Sequence, residues 1–107
     1  MKKLLILAAL AALCMPAVRA QQTPAALRVI FDTDMGNDVD DPLALDMLYK
    51  AVDRGEIILL GILSSKDTEY SPRYIDMMNT WYGYPEIPVG RVRDGVVLKR
   101  DDYARAV

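Results

Sequence analysis

The stretch LRVIFDTDMGNDVDDP, residues 27–42, decides the fold class. Its first five residues form a short apolar, β-branched run that stops at a cluster of acids, which is typical of a buried strand in a parallel sheet. At its other end Asp41 precedes Pro42, a pattern typical of an N-cap followed by the first residue of a helix. The stretch therefore predicts a strand, an acidic loop and a helix.

The chain beyond this stretch repeats the alternation. The first helix is expected to stop at Gly55, and apolar runs at 56–63 and 87–89 predict two further strands. Between those strands, Ser71 and Pro72 repeat the cap-then-proline pattern, and Gly83 is expected to end the second helix. The order β-α-β-α-β predicts an α/β fold, the N-terminal part of a mostly parallel, Rossmann-like open sheet.

Apolar residues at helical spacing predict the buried faces of both helices. In the first helix the expected stripe is Leu43, Met47 and Ala51, widened by Ala44 and Leu48. In the second helix the residues expected in the core are Tyr74, Met77, Met78 and Trp81.

The start of the chain is typical of a signal peptide. Lys2 and Lys3 precede an apolar run at 4–13, and small residues at Val18 and Ala20 favour cleavage before Gln21. Residues 1–20 are thus expected to direct export to the periplasm or medium of a bacterium. The apolar run is too short to span a bilayer, so no stable membrane anchor is expected after cleavage. Residues 21–26 form a polar linker, and 27–107 the folded portion.

Composition excludes some classes of function. The 107 residues hold 13 Lys and Arg against 15 Asp and Glu, so bulk charge does not indicate a nucleic-acid-binding surface. The absence of histidine excludes His-based catalytic triads and His-ligated zinc within this chain. A parallel sheet needs cover on both faces, and so short a chain is expected to be part of a longer, truncated domain.

The acidic loop, residues 32–41, holds five aspartates in ten residues. Helix capping accounts for Asp41 and in part for Asp40, but not for five acids, because crowded carboxylates repel one another and raise one another's pKa. A bound divalent cation removes that conflict. Oxygen ligands without histidine suit Ca²⁺ or Mg²⁺, and a flexible loop with many carboxylates fits Ca²⁺ better.

The segment VIFDTDMGNDVDD resembles the N-terminal signature of the inosine–uridine-preferring nucleoside hydrolases, DTDxGxDD. Two extra residues lie here between Gly36 and the closing acid pair. The resemblance extends more weakly to residues 87–89. It covers most of the chain after the leader but only the N-terminal portion of that family's domain, which is several times longer.

The resemblance implies hydrolysis of the N-glycosidic bond of ribonucleosides to ribose and free base, assisted by bound Ca²⁺. Carried over by position, Asp34 would ligate calcium and take the proton from the attacking water. Asp41 would be the second calcium carboxylate, and Asp40 would bind ribose hydroxyls. Chemistry agrees, because a carboxylate beside a metal-acidified water can complete its deprotonation.

The other loop residues receive supporting roles. Asp32 is expected to orient the loop by hydrogen bonding, Thr33 to be structural, and Gly36 to permit a backbone conformation that other residues resist. Asp38 lies in the two-residue insertion, where it is either a further calcium ligand or a loop cap.

The chain departs from the family after the second strand. A Gly-Asn pair that lines the pocket in the family is replaced by residues 64–67, SSKD. Lys66 either reaches the substrate, pairs with a carboxylate of the acidic loop, or is a solvated loop lysine. Asn79 is expected to be a structural amide. The family's further calcium ligands and its leaving-group acid lie beyond Val107, so this portion alone is expected to be inactive.

Two other functions remain open. A haloacid-dehalogenase-type phosphatase also places Asp-x-Asp after an apolar strand, with Asp32 as nucleophile and Asp34 as acid or base. That type expects Gly-Thr after the second Asp, where this chain has Met35-Gly36. A secreted, non-catalytic module that binds metal or sugar is the third interpretation. The preferred base and the oligomeric state, including a homo-oligomer, are left open.

Overall fold

The computed structural model describes residues 25–93 and 103–107. The described elements are strands β1 (Leu27–Thr33), β2 (Ile57–Ser64) and β3 (Val89–Arg91), and helices α1 (Asp40–Asp53) and α2 (Tyr70–Tyr82). Their β-α-β-α-β order confirms the α/β prediction. The predicted signal peptide and most of the linker lie outside the described residues. In the described part, none of the helices has the length and apolar character needed to cross a membrane.

The three strands form one parallel sheet in the order β1-β2-β3. The register places Thr33 beside Ser64 and Ser64 beside Arg91, so the carboxyl ends of the strands meet at one edge. Just past that edge, the backbone N–H of Ser65 donates to the carbonyl oxygen of Thr33 at 2.9 Å. The chain segments that follow β1 and β2 are therefore held side by side, and both carry candidate functional residues.

Both helices begin earlier than predicted. Asp40 and Tyr70 are the first helical residues, so Pro42 and Pro72 occupy the third position of each helix rather than the first. The first N–H groups of a helix have no intrahelical acceptor, so proline is tolerated there. Ser71, predicted as a cap, is instead buried inside α2.

The ends of the helices and strands follow the sequence more closely. Gly83 ends α2 as predicted, in the left-handed conformation with a φ of 86°. β2 is displaced by one residue from the predicted range, and β3 begins at Val89 rather than at Ile87. Ile87 is nonetheless buried, so the third apolar run contributes to the core.

The buried face of α1 is not the predicted one. Leu43 and Met47 are 60% and 70% exposed, whereas Leu45 and Tyr49 are fully buried. Both stripes have helical spacing, and packing against β2 selects the one that carries the tyrosine. The aromatic ring of Tyr49 stacks on the rings of Tyr82, the last residue of α2, and of Tyr84, which lies just after the helix.

The prediction for α2 is right in part. Met78 is buried and Tyr74 packs against the core, but Met77 and Trp81 are 40% and 85% exposed. Asn79 is a buried structural amide, as expected. Its Oδ1 accepts from the Tyr49 hydroxyl at 2.6 Å and its Nδ2 donates to the carbonyl oxygen of Ile87 at 3.1 Å. A polar residue thus takes the buried position next to Met78.

Both helices pack on the same face of the sheet, where Leu59 and Ile62 join Leu45, Tyr49 and Ile75 in one hydrophobic core. The opposite face carries Ile30, Ile58 and Leu63, which are 60%, 47% and 45% exposed. Within the described residues this second face has no covering layer. The core therefore lies beneath the helices, and the acidic loop lies at the edge between core and solvent.

Candidate functional site

The acidic loop comprises the end of β1, the connection that follows it and the first turn of α1. Asp32 and Thr33 are the last residues of β1, and Asp40 and Asp41 form the first turn of α1. Asp34 and Asp41 are half-buried, whereas the remaining aspartates of the loop, Asp32, Asp38 and Asp40, are exposed.

Thr33 links the two ends of the acidic loop. Its hydroxyl donates to Oδ1 of Asp41 at 2.6 Å and accepts from the backbone N–H of Met35 at 3.1 Å. Thr33 and Met35 are both buried, so these bonds form away from bulk water. The structural role predicted for Thr33 is confirmed.

Asp41 is not the N-cap of α1, contrary to the prediction. The residue at the N-cap position is Val39, and it makes no side-chain cap hydrogen bond. Asp40 partly takes over the capping function, since its Oδ1 accepts from the backbone N–H of Asp41 at 3.1 Å. Because Asp41 is inside the helix, its carboxylate turns to Thr33 and is held at the strand edge.

The carboxylates of Asp34 and Asp40 are close enough to that of Asp41 to influence it. The pKa of Asp41 is raised, mainly because burial disfavours its charged form, and the negative charges of Asp34 and Asp40 add to this. The hydrogen bond from Thr33 and the positive charge of Lys66 act in the opposite direction. The structure thus brings together the three aspartates to which the resemblance assigns direct roles.

Asp32 faces a different surface. Successive residues of a strand point to opposite faces, so Asp32 lies on the open face of the sheet while Thr33 faces the helices. It lines a cavity of about 370 Å³ together with Leu63 and Arg91, among other residues at the carboxyl ends of the strands. Asp38 is exposed on the loop itself.

Gly36 has a φ of 143°, a conformation that residues with a side chain rarely adopt. This is the kind of backbone position for which the sequence predicts a glycine. Its backbone makes two hydrogen bonds with Tyr103, a residue to which the sequence pattern assigns no role. The Gly36 N–H donates to the Tyr103 hydroxyl at 2.9 Å, and the Tyr103 N–H donates to the Gly36 carbonyl at 3.2 Å.

Tyr103 is a structural neighbour of the site that sequence reasoning missed. Its ring packs edge-on against Tyr74 of α2 with centroids 5.1 Å apart. Burial raises the pKa of its phenol to about 12, so the hydroxyl stays protonated at neutral pH. No local pattern could reveal the pairing, because 67 residues separate Tyr103 from Gly36.

Lys66 is fully buried at the loop after β2, which rules out the solvated-lysine interpretation. Its Nζ donates to Oδ1 of Asn37 at 2.6 Å, so the lysine reaches across to the acidic loop. Lys66 thus contacts the acidic loop, and the acceptor of this hydrogen bond is the neutral amide of Asn37.

The donor chemistry of the loop suits a hard divalent cation, because the side chains that meet there offer carboxylate and amide oxygens. Asp34 and Asp41 are two half-buried carboxylates held near one another, which fits two ligands of such an ion. Within residues 25–93 and 103–107, however, no three acidic, His or Cys side chains form a group that could hold a metal ion. Calcium binding by Asp34, Asp38 and Asp41 therefore stays a prediction.

Comparisons with protein-family models, with curated proteins and with solved structures found no match to this chain.

Proposed function

We propose that this chain is the N-terminal portion of an exported, Ca²⁺-assisted hydrolase that cleaves the N-glycosidic bond of ribonucleosides. One observation carries the proposal. A segment that resembles the DTDxGxDD signature lies at the carboxyl edge of a parallel sheet, with the carboxylates of Asp34, Asp40 and Asp41 near one another. In open α/β sheets this edge is where ligands bind.

Asp34 and Asp41 are the residues that would hold calcium. When bound, calcium supplies positive charge that offsets the crowded carboxylates and makes a nearby water molecule more acidic. Asp41 is already oriented by Thr33, which leaves its second carboxylate oxygen for another partner. Asp38, exposed in the same loop, is the third carboxylate that the sequence offers for this role.

Asp34 is the proposed general base, which takes the proton from the attacking water. It follows directly after β1, and its half-buried position lets it contact both solvent and the strand edge. A positioned general base contributes about 10²–10⁴-fold to the rate. The developing positive charge on the sugar would be stabilised by the negative charge that the loop concentrates.

Asp40 is assigned to the ribose hydroxyls. It is exposed in the first turn of α1, and a charged acceptor that bonds a sugar hydroxyl contributes roughly 1.5–3 kcal/mol. Gly36 supports the site through its backbone conformation. Asp32 lies on the open face of the sheet, so its predicted role in orienting the loop stays a prediction.

The test uses the full-length protein, by which we mean the product of the complete reading frame, however far it extends past codon 107. Hydrolysis of a p-nitrophenyl riboside is measured at saturating Ca²⁺. Asp34→Asn is expected to lower kcat by about 10²–10⁴-fold, because it removes the proton acceptor while nearly keeping its shape. Asp40→Ala is expected to raise KM. Asp76→Asn, an exposed aspartate on α2, is the matched control and should leave both parameters unchanged.

Other outcomes point to the alternatives. Near-normal kcat in Asp34→Asn together with complete loss in Asp32→Asn would contradict the assignment and favour the phosphatase, which is then tested on phosphate esters. Ca²⁺ binding without turnover of any riboside would favour the non-catalytic binding module.

A further inference from the structure

The most unusual side chain near the acidic loop is Lys66. It is among the largest fully buried side chains of the described residues, whereas the other lysine in that part of the chain, Lys50, is exposed. Charged side chains are almost never fully buried unless they are paired. The burial of Lys66 therefore requires a compensating negative charge close by.

The backbone at Lys66 is fixed by neighbouring hydroxyls. The Ser64 hydroxyl contacts the Lys66 carbonyl at 3.4 Å and the Ser71 hydroxyl at 2.9 Å, and the Ser65 hydroxyl donates to the Thr33 carbonyl at 3.1 Å. These contacts hold the loop after β2 against the end of β1. These backbone contacts place Lys66 where its side chain reaches the acidic loop.

Asp41 of the acidic loop is one negative charge that lies close to Lys66. Asn37, to which its Nζ donates, is neutral and satisfies a hydrogen bond without balancing the charge. Lys66 lies near enough to Asp41 for its positive charge to lower the pKa of that carboxyl, against the effect of burial. One buried cation therefore faces Asp41, whose carboxylate also lies near those of Asp34 and Asp40.

We infer that Lys66 is a fixed counter-ion of the acidic loop, which offsets the loop carboxylates in the metal-free protein and thereby weakens their hold on a divalent cation. The second half of this inference rests on the proposed function, since it takes Asp34 and Asp41 as cation ligands. Lys66 is a positioning residue that acts through these carboxylates. Its charge lets the loop fold without metal and keeps calcium binding reversible.

The first experiment tests the counter-ion without any metal. Unfolding of the full-length protein is followed in EDTA for Lys66→Met, Asp41→Asn and the double variant. Removal of the lysine leaves the half-buried carboxylate of Asp41 uncompensated, so Lys66→Met should destabilise the protein less when Asp41 is already neutral. The coupling should change the unfolding constant by about fivefold or more.

Lys50→Met is the matched control for this cycle. It removes the same charge from an exposed position ten residues beyond Asp40 on α1, about 15 Å along the helix axis. Its coupling to Asp41→Asn should be negligible. If Lys66→Met does not fold, Lys66→Gln replaces it, because glutamine keeps a hydrogen-bonding group for Asn37 and removes only the charge.

The second experiment measures Ca²⁺ affinity by calorimetry. Lys66→Met should bind Ca²⁺ roughly tenfold more tightly than the wild type, because a positive charge is removed beside a doubly charged ion. Asn37→Ala removes the hydrogen bond but keeps the charge, and Lys66→Arg also keeps the charge, so both should stay near wild-type affinity.

The two experiments test the two halves of the inference separately. Absence of coupling in EDTA, or equal Ca²⁺ affinity in Lys66→Met and wild type, overturns the inference. If no variant binds Ca²⁺, the calcium part of the proposed function and the effect of Lys66 on affinity are both overturned. The cycle in EDTA still decides by itself whether Lys66 is the counter-ion.

Discussion

Thr33 shows how a single hydroxyl orders the acidic loop. It donates to Asp41 and accepts from the N–H of Met35, so it connects the strand end, the loop and the helix start. Valine has the same shape but could do neither, because it carries neither the proton nor the lone pair. The position of the candidate site therefore depends on this residue as much as on the carboxylates.

Thr33→Val should destabilise the full-length protein by about 1–3 kcal/mol, because the N–H of Met35 would be left buried and unsatisfied. Thr80→Val is the control, since Thr80 is exposed on α2 and such surface changes usually stay within about 0.5 kcal/mol. Urea unfolding of both variants provides the measurement. Equal effects of the two substitutions would show that the Thr33 hydroxyl does not hold the loop.

Among the elements, the turn that begins at Tyr103 is not part of the sheet but is hydrogen-bonded to the acidic loop. It exchanges two hydrogen bonds with Gly36 and packs on α2 through Tyr74. The loop is thus held by β1 on one side and by this turn on the other. Because burial disfavours the charged phenolate, the packed position of Tyr103 should become less favourable in alkali.

Tyr103→Phe should cost about 0.5–1.5 kcal/mol at neutral pH through loss of the acceptor for Gly36. The folded-state pKa of about 12 lies above the ordinary tyrosine value of 10.0. The folded protein therefore holds this proton more tightly than the unfolded chain, and its stabilising effect is complete below pH 10 and decreases as pH rises toward 12. The stability difference between wild type and variant should narrow over that range.

Urea unfolding of wild type and Tyr103→Phe at pH 9 and pH 11 checks this expectation. If the difference in unfolding free energy between wild type and variant is the same at both pH values, folding does not raise the pKa of Tyr103.

At the scale of the whole molecule, the open face of the sheet is the dominant feature. Within the described residues both helices cover one face, while Ile30, Ile58 and Leu63 are exposed on the other. Parallel sheets occur almost only with both faces covered. A structure with half of this cover is expected to be weakly stable and to expose apolar surface.

The 107-residue chain alone is therefore expected to fold poorly, with broad amide NMR signals and binding of a hydrophobic dye. Ile30→Thr should reduce dye binding, since it removes one exposed apolar side chain from the open face. Dispersed spectra with a cooperative melt in the absence of any further chain would contradict the expectation.

Export is the second expectation at this scale. The Lys2-Lys3 start and the apolar run at 4–13 should direct the chain across the inner membrane, with cleavage before Gln21. N-terminal sequencing of periplasmic protein should read from Gln21. An intact Met1 on cytoplasmic protein would argue against export.

Local sequence features were enough to predict the alternation of strands and helices, the end of α2 at Gly83 and the position of the acidic loop. These depend on local periodicity and on residues with special backbone preferences, which act over a few positions. It also suggested the loop's oxygen chemistry, because that follows from composition alone.

Which apolar stripe of α1 is buried depends on packing in the folded molecule, since Leu43 and Leu45 both lie on helical stripes and contact with β2 selects between them. The hydrogen bonds of Lys66 with Asn37 and of Tyr103 with Gly36 likewise depend on the folded structure. The residues of the first pair are 29 positions apart in the sequence and those of the second pair are 67 apart. No local pattern encodes so distant a partner. The surroundings of the acidic loop are a property of the packed sheet edge, where segments far apart in the chain converge.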